Sequence, residues 1–179
     1  MSDNLCSSRK KLHAFIHILN IIVEKGSNFM DILKTIFEKQ YELNKRILKE
    51  RHGQDYDQLC DHDQQSEDLE KMRIEWILNY NRAQIHESIE LEDSLPWKWW
   101  KDKSDIDWQN IGIELIDELH FWVSKCQLAG LDVNKLADLY QKKNKLNQLR
   151  QDKGYGSTYR KVDENGLEDN KRMEELLGE

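Results

Sequence analysis

A chain of 179 residues with 1 proline, 8 glycines and 34% charged residues is long enough for one domain with a hydrophobic core, and its composition is that of a helical protein. The net charge of −7 argues against nucleic acid as the main partner, because a nucleic-acid binder needs an electropositive face. The 3 cysteines are widely spaced and form no disulfide or zinc pattern, which favours a reducing intracellular compartment, the cytoplasm before the nucleus or mitochondrion.

The first predicted helix spans 9–25 and closes at Gly26. Basic residues precede an apolar run over 12–23, as they do in a signal peptide, but polar residues interrupt the run and no small-residue cleavage site follows. The run is also too short to cross a bilayer. We therefore expect an ordinary helix here and no membrane partner.

Two longer helices are predicted next. The second helix opens after Asn28 and continues to about Arg51. The polar stretch 52–65 is expected to be an exposed loop. The third helix runs over about 67–92 and stops before Pro96, because the residue before a proline is disfavoured in a helix.

The second half of the chain predicts two more helices and a short tail. The fourth helix spans about 104–130, with a serine or an aspartate as its first residue. The fifth helix is capped by Asp132 and ends at Gly154. A loop follows, and then a short helix that includes the apolar residues Met173, Leu176 and Leu177. Together these elements predict an all-α fold, a helical bundle that forms a single domain over 1–179.

Two amides interrupt an apolar stripe on the second helix. Burying an unpaired amide costs about 1–3 kcal/mol, so Gln40 and Asn44 both need partners. Either Asn44 fixes the register between helices, as in coiled coils, or the two amides face a polar ligand such as a nucleobase. The stripe follows alternating spacings of three and four residues: Met30, Leu33, Phe37, Gln40, Asn44 and Ile47.

Two pairs of carboxylates lie on helices that are otherwise apolar. An apolar face of the third helix runs into Glu87 and Glu90, and the fourth helix is apolar on nearly every side, which predicts burial, yet carries Glu114 and Asp117 in its middle. Four adjacent carboxylates raise each other's pKa unless arginines, shared protons or metal ions relieve the repulsion. Ligands that are all oxygen favour Mg²⁺ or Mn²⁺ over zinc.

The fifth helix changes from apolar to cationic along one stripe, with Leu136 and Tyr140 first and Lys143, Asn147 and Arg150 after them. The last three can hold phosphate oxygens through charge-assisted hydrogen bonds, or they can belong to a solvated lysine-rich face. Taken with the amides and the acidic pairs, the stripe suits a nucleotide: amides for the base, carboxylates for metal and cations for phosphate.

The spacing Glu87-x-x-Glu90 followed by Glu114-x-x-Asp117 resembles the metal motif of the all-α nucleotide pyrophosphatases related to MazG. The surrounding sequence over 27–177 is similar to the dimeric dUTPases of kinetoplastids, Campylobacter-like bacteria and some phages, and 1–26 is an additional N-terminal segment. The matching motifs occur in the family's order: 40–44, 87–101, 113–122, 143–155 with Tyr159 and Lys161, and 165–170.

The resemblance implies a Mg²⁺-dependent homodimeric enzyme that hydrolyses dUTP, and also dUDP, thereby limiting uracil in DNA and supplying dUMP. It implies two or three Mg²⁺ ions, for which Mn²⁺ can substitute, and a water directed at the β-phosphate. The implied metal-binding and catalytic residues are Glu87, Glu90, Glu114 and Asp117, with Glu90 as the expected proton acceptor. The implied substrate-binding residues are Gln40, Asn44, Trp97, Lys101, Lys143, Asn147, Arg150, Tyr155, Lys161 and Asn170.

Two other functions stay open from the sequence. A related pyrophosphatase could act on dCTP or another nucleotide, because the amides alone do not decide between bases. A non-catalytic helical interaction protein could use the buried polar residues only to specify its packing.

Overall fold

The computed structural model describes residues 30–101 and 106–178. The predicted helix over 9–25 and the expected start of the fourth helix at 104–105 lie outside these ranges. The chain divides into two compact units, unit 1 ending at Gly130 and unit 2 beginning at Leu131. The all-α prediction is confirmed: in the described ranges the only β-type pairings are two isolated bridges. No described helix is both long and apolar enough to cross a membrane.

Unit 1 contains four helices within its described residues. Helix α1 covers 30–52, α2 is Tyr56–Cys60, α3 is Glu67–Asp93 and α4 is Trp108–Leu128. The predicted extents of the second and third helices agree with α1 and α3 to within a residue or two over the described part.

The expected exposed loop over 52–65 is wrong, because α2 forms inside it. Gly53 has φ 64°, a left-handed conformation that ends α1, and the Asp55 side chain then caps α2 by accepting the backbone N–H groups of the next turn. Tyr56 and Leu59 on α2 are fully buried. A five-residue helix is too short for its apolar spacing to be distinguished from a loop by periodicity.

Helices α3 and α4 form an antiparallel hairpin. Ser94 is hydrogen-bonded to Asn110, Ser88 to Glu118 and Asn81 to Lys125, so residue numbers fall along one helix as they rise along the other. The N-cap of α4 is Asp107, whose carboxylate accepts the N–H groups of the first turn. The cap therefore lies slightly later than expected. The hairpin brings the end of α3 beside the beginning of α4.

The core of unit 1 lies among α1, α2, α3 and the end of α4. Its buried cluster consists of Leu48, Tyr56, Leu59, Tyr80 and Leu128. Leu48 replaces the expected Ile47 as the last inward-facing residue of α1. A stripe of alternating three and four spacings drifts by about 20° every seven residues relative to a straight helix, so the next position takes over.

The expectation that α4 is buried on all sides is wrong for its first half within the chain. Val123 and Cys126 near its end are buried, but Ile113, Leu115 and Ile116 are about half exposed. The second half of α4 meets the core of unit 1, whereas the first half rests mainly on the end of α3. This exposed apolar surface needs another explanation than packing inside unit 1.

Arg73 on α3 is buried and joins α2 to the start of α3. Its Nε donates to the carbonyl of Leu59 at 2.7 Å, and its Nη2 donates to the carbonyls of Gln58, Asp61 and Gln64. All of these acceptors are backbone oxygens, which a buried guanidinium can satisfy with its several N–H groups. The connection is thus fixed by one side chain.

Unit 2 contains α5 (Val133–Asp152), a 3-10 turn (Asp169–Arg172) and α6 (Met173–Leu177). Asp132 caps α5, as predicted, by accepting two N–H groups of its first turn. Gly154 follows the helix with φ 80°, and a Cβ at this position would lie 2.4 Å from Thr158 Oγ1. The end of α5 therefore requires glycine, and the predicted tail of loop and short helix is confirmed.

Candidate functional site

An acidic cluster forms where the end of α3 meets the beginning of α4. Glu87 and Glu90 lie one turn apart on α3, and Glu114 reaches them from α4. One carboxylate oxygen of each lies within 4.8 Å of the other two. These oxygens converge because the antiparallel hairpin places Glu114 on α4 beside Glu87 and Glu90 on α3.

In the described part of unit 1, no lysine or arginine neutralises the repulsion in this cluster. The pKa of Glu87 is raised, first by burial and then by the negative charges of Glu90, Asp117 and Glu114. Among the described residues of unit 1, no lysine or arginine forms an ion pair with these acids. Glu114 is only 7% exposed, so its charge is costly without a cation.

The predicted fourth acid lies beside this cluster. Asp117 is not one of the three residues whose oxygens converge, but it is close enough to raise the pKa of Glu87. Oxygen donors of this kind fit a hard divalent cation such as Mg²⁺ or Mn²⁺. The donor set therefore fits the cation that the sequence predicts, with three of the four expected ligands already converging.

Gln40 and Asn44 on α1 are both buried and hydrogen-bond to each other. Gln40 Nε2 donates to Asn44 Oδ1 at 3.0 Å and to Ser124 Oγ at 3.1 Å, while Gln40 Oε1 accepts from Nδ1 of His120. Asn44 Nδ2 donates to Ser124 Oγ at 2.9 Å and to the hydroxyl of Tyr56 at 3.0 Å. Both amides have partners inside the protein, as their burial requires.

This network continues until its polar groups reach the backbone. Ser124 Oγ donates to the carbonyl of His120, and the Tyr56 hydroxyl donates to Gln127 Oε1. Gln127 Nε2 then donates to the carbonyl of Phe37 on α1. The sequence reasoning did not identify Ser124, Tyr56 or Gln127, although a serine on the apolar α4 helix was a usable signal.

A tryptophan-rich segment follows the acidic end of α3. Trp97 Nε1 donates to Asp93 at 3.1 Å, and its ring meets Trp100 edge to face with 5.6 Å between centroids. Trp99 is 87% exposed, and the predicted substrate residue Lys101 is also exposed. These side chains are available to a ligand or partner.

The cationic residues predicted on α5 meet the tail of unit 2. Arg150 is buried and forms a two-point ion pair with Asp169, through Nε at 2.9 Å and Nη2 at 2.6 Å. The hydroxyl of Tyr159 donates to the same carboxylate at 2.8 Å. These two donors hold the pKa of Asp169 at about 2. Asp169 is not among the site residues predicted from the sequence.

The remaining predicted residues of unit 2 surround this ion pair. Arg150 donates to Asn147 Oδ1 and Asn170 Oδ1, both at 3.0 Å, and Lys143 also donates to Asn170. The Lys161 ammonium lies 5.2 Å from the ring centroid of Tyr155, whose pKa it lowers. Unit 2 thus brings the predicted residues of its own segment together.

Comparison with known proteins gives two matches. A family model described as dUTPase matches residues 32–129. A protein called dCTP pyrophosphatase from Enterobacteria phage LZ5 is 37% identical over 78 residues, covering 37% of this chain and 45% of the relative. The chain therefore matches less than half the length of that relative. No solved structure matches.

Proposed function

This chain belongs to the all-α dUTPase family, and on that premise we propose that it is a Mg²⁺-dependent pyrophosphatase that hydrolyses dUTP, and also dUDP, releasing dUMP. The observation that carries the proposal is the convergence of Glu87, Glu90 and Glu114 without a basic partner in the described part of unit 1. An acidic site of this kind can accept a nucleotide polyphosphate only if cations lie between the two.

In this proposal the acidic cluster and Asp117 hold two or three Mg²⁺ ions, with Mn²⁺ as a substitute. When bound, the ions supply positive charge for the phosphates and activate water for attack. Glu90 is the exposed member of the cluster, so its carboxylate is the best placed to accept a proton from a water arriving from solvent. Glu114 is buried, and in this proposal its carboxylate is a fixed ligand of the cations.

The proposed substrate contacts divide by chemistry. Gln40 and Asn44 contact the base by exchanging hydrogen bonds that they make inside the protein, and Trp97 and Lys101 cover the bound nucleotide. Unit 2, taken by itself, offers cationic and polar groups that suit phosphate oxygens. Arg150 takes part in the last of these while its other N–H groups stay on Asp169. The unit 2 set consists of Lys143, Asn147, Arg150, Tyr155, Lys161 and Asn170.

A second candidate function is hydrolysis of dCTP. The observation that favours it is the match to a relative called dCTP pyrophosphatase. An amide can face either base, because rotating it by half a turn exchanges its donor and acceptor. The two substrates are therefore separated by the ratio of kcat/KM for dUTP to kcat/KM for dCTP, measured on one preparation.

We also propose a homodimer. A stripe on α3 remains about half exposed in the single chain, at spacings of four, seven and four residues that keep it on one helical face. It consists of Ile74, Leu78, Ile85 and Ile89. An apolar surface of this extent, together with the exposed residues of α4, is typical of a face that meets another protein.

The test of the proposed function is product analysis with the purified full chain, dUTP and MgCl₂, followed by ³¹P NMR in water enriched with ¹⁸O. We expect dUMP and pyrophosphate, with the label in pyrophosphate if water attacks the β-phosphorus. Glu90→Gln should lower kcat by about 10²–10⁴-fold, because a carboxamide neither accepts the proton nor carries the charge.

The matched control is Glu92→Gln, which removes an exposed carboxylate of the same helix outside the cluster. It should leave kcat within about twofold of wild type, since exposed charges contribute little. Release of inorganic phosphate in place of pyrophosphate, or wild-type turnover by the Glu90 variant, would contradict the proposal. Absence of both hydrolysis and cation binding would favour the non-catalytic alternative.

A further inference from the structure

A single amide connects the two helices that carry the acidic cluster. Asn110 Nδ2 donates to Ser94 Oγ at 2.8 Å and to Glu114 Oε1 at 3.0 Å. Ser94 is the C-cap of α3, and Asn110 lies in the first turn of α4. Neither residue belongs to the set of ligands and substrate contacts proposed above.

The number of protons on each group determines the direction of the hydrogen bonds that link Glu90, Ser94, Asn110 and Glu114. The Ser94 hydroxyl has one proton, which it donates to the carbonyl of Glu90 at 3.0 Å, so its oxygen can only accept from Asn110. The second proton of the same Asn110 nitrogen then points to the carboxylate of Glu114. Rotating the amide would break its hydrogen bond to Glu114, and Ser94 could then bond the amide oxygen only by giving up the carbonyl of Glu90.

This arrangement bears on the most buried acid of the cluster. Among the described residues, Asn110 is the hydrogen-bond donor to the Glu114 carboxylate. Because Glu114 is almost inaccessible to water, solvent contributes little to fixing the position of this carboxylate. Ser94 in turn ties the amide to the backbone of Glu90, another member of the cluster. One chain of hydrogen bonds thus links two of the three acids.

We propose that Asn110 is a positioning residue that fixes the Glu114 carboxylate relative to Glu90 and so sets the affinity of the cluster for a divalent cation. This inference rests on the proposed function, because it assumes that the cluster binds a cation. Residues that hydrogen-bond to metal ligands orient them, and their loss commonly lowers metal affinity by about 10- to 100-fold.

The experiment measures Mn²⁺ binding to the full chain without nucleotide, by the electron paramagnetic resonance signal of unbound Mn²⁺. Asn110→Ala should weaken Mn²⁺ binding about 10- to 100-fold. Ser94→Ala should weaken it less, roughly 3-fold, because the amide keeps its bond to Glu114 and loses one neutral anchor. Circular dichroism and thermal unfolding check that each variant is folded.

The chain provides a matched control on the same two helices. Ser88 Oγ donates to Glu118 at 2.8 Å, which is also a hydrogen bond from a small polar residue to a glutamate across the hairpin, but outside the converging acids. Ser88→Ala should therefore leave Mn²⁺ affinity within about twofold of wild type. A general loosening of the hairpin would instead weaken binding in both the Ser88 and the Asn110 variants.

The outcomes separate this inference from the proposed function. If the wild-type chain binds Mn²⁺ and Asn110→Ala binds it equally well, the positioning role is refuted and the cation site stands. Equal losses in the Asn110 and Ser88 variants refute it as well. If the wild-type chain binds no Mn²⁺, the cation site fails and the inference fails with it. If Asn110→Ala does not fold, Ser94→Ala decides, and unchanged affinity there refutes the proposal.

Discussion

Replacing Asp169 by asparagine removes the only charge in the described part of unit 2 that forms an ion pair with the buried guanidinium of Arg150. The asparagine oxygen can replace only one of the two carboxylate oxygens as an acceptor. Its NH₂ group, however, would face the remaining N–H donors of Arg150 or the hydroxyl of Tyr159. The variant therefore keeps the shape of the side chain while leaving a positive charge uncompensated.

The magnitude follows from how strongly the fold favours the charged form of the Asp169 carboxyl group. A pKa of about 2 in place of the ordinary 3.8 corresponds to a preference of about 2 kcal/mol for the charged form in the fold. Breaking a buried pair by removing one partner commonly costs about 3–5 kcal/mol. We expect the free energy of local opening around α5 to fall by about 2–4 kcal/mol, which is an acceleration of amide exchange of roughly 30-fold or more.

The assay is amide hydrogen exchange by mass spectrometry, read on peptides from α5 and from 161–172. Glu174→Gln is the control, because Glu174 pairs with Lys142 at the surface of the same unit and exposed pairs contribute about 0–1 kcal/mol. Exchange in Asp169→Asn that equals exchange in this control would refute the reasoning. The contribution of Asp169 should be complete above its ordinary pKa and disappear in wild type as the pH falls towards 2, because the folded-state pKa is depressed.

Two further predictions concern the base and the assembly. Gln40→Ala should lower the free energy of unfolding by about 1–3 kcal/mol, because it leaves Asn44 Oδ1 and Nδ1 of His120 without their hydrogen-bond partner. It should also narrow the preference for dUTP over dTTP and dCTP in kcat/KM; a loss of stability with an unchanged ratio would give Gln40 a purely structural role. Light scattering at micromolar concentration should give a mass near twice 21.5 kDa, and a monomer with full activity would contradict the dimer.

Long periodic helices were the part of the fold that the sequence determined best. Helix α3 needs no interpretation beyond its apolar spacing and the proline that follows it, and Asp132 identifies the start of α5 directly. Helix α2 could not be found in this way. The helix forms because Gly53 adopts a left-handed conformation and because Tyr56 and Leu59 are buried by the other helices. Neither condition can be recognised from five residues of sequence.

The candidate site likewise contains residues that the sequence pattern predicts and residues that only the fold brings together. The acids could be predicted, because charges in the middle of apolar helices are conspicuous and their spacing places them on one face. Asn110 lies four residues before Glu114, a spacing that permits contact on a helix, yet asparagine near a helix start is too common to single out. Asp169 and Arg150 are far apart in sequence, and periodicity carries no information about pairs that a loop brings together.

The hydrogen bonds of Arg73 affect how the sequence of residues 58–64 can vary between relatives. Each hydrogen bond that we describe for its guanidinium ends on a backbone carbonyl, in Gln58, Leu59, Asp61 and Gln64. A substitution changes a side chain and leaves the backbone carbonyl in place. The hydrogen bonds of Arg73 therefore restrict the identities of the exposed residues in this segment very little. An alignment of relatives should accordingly show a constant arginine at this position beside a segment of constant length whose exposed positions vary in composition.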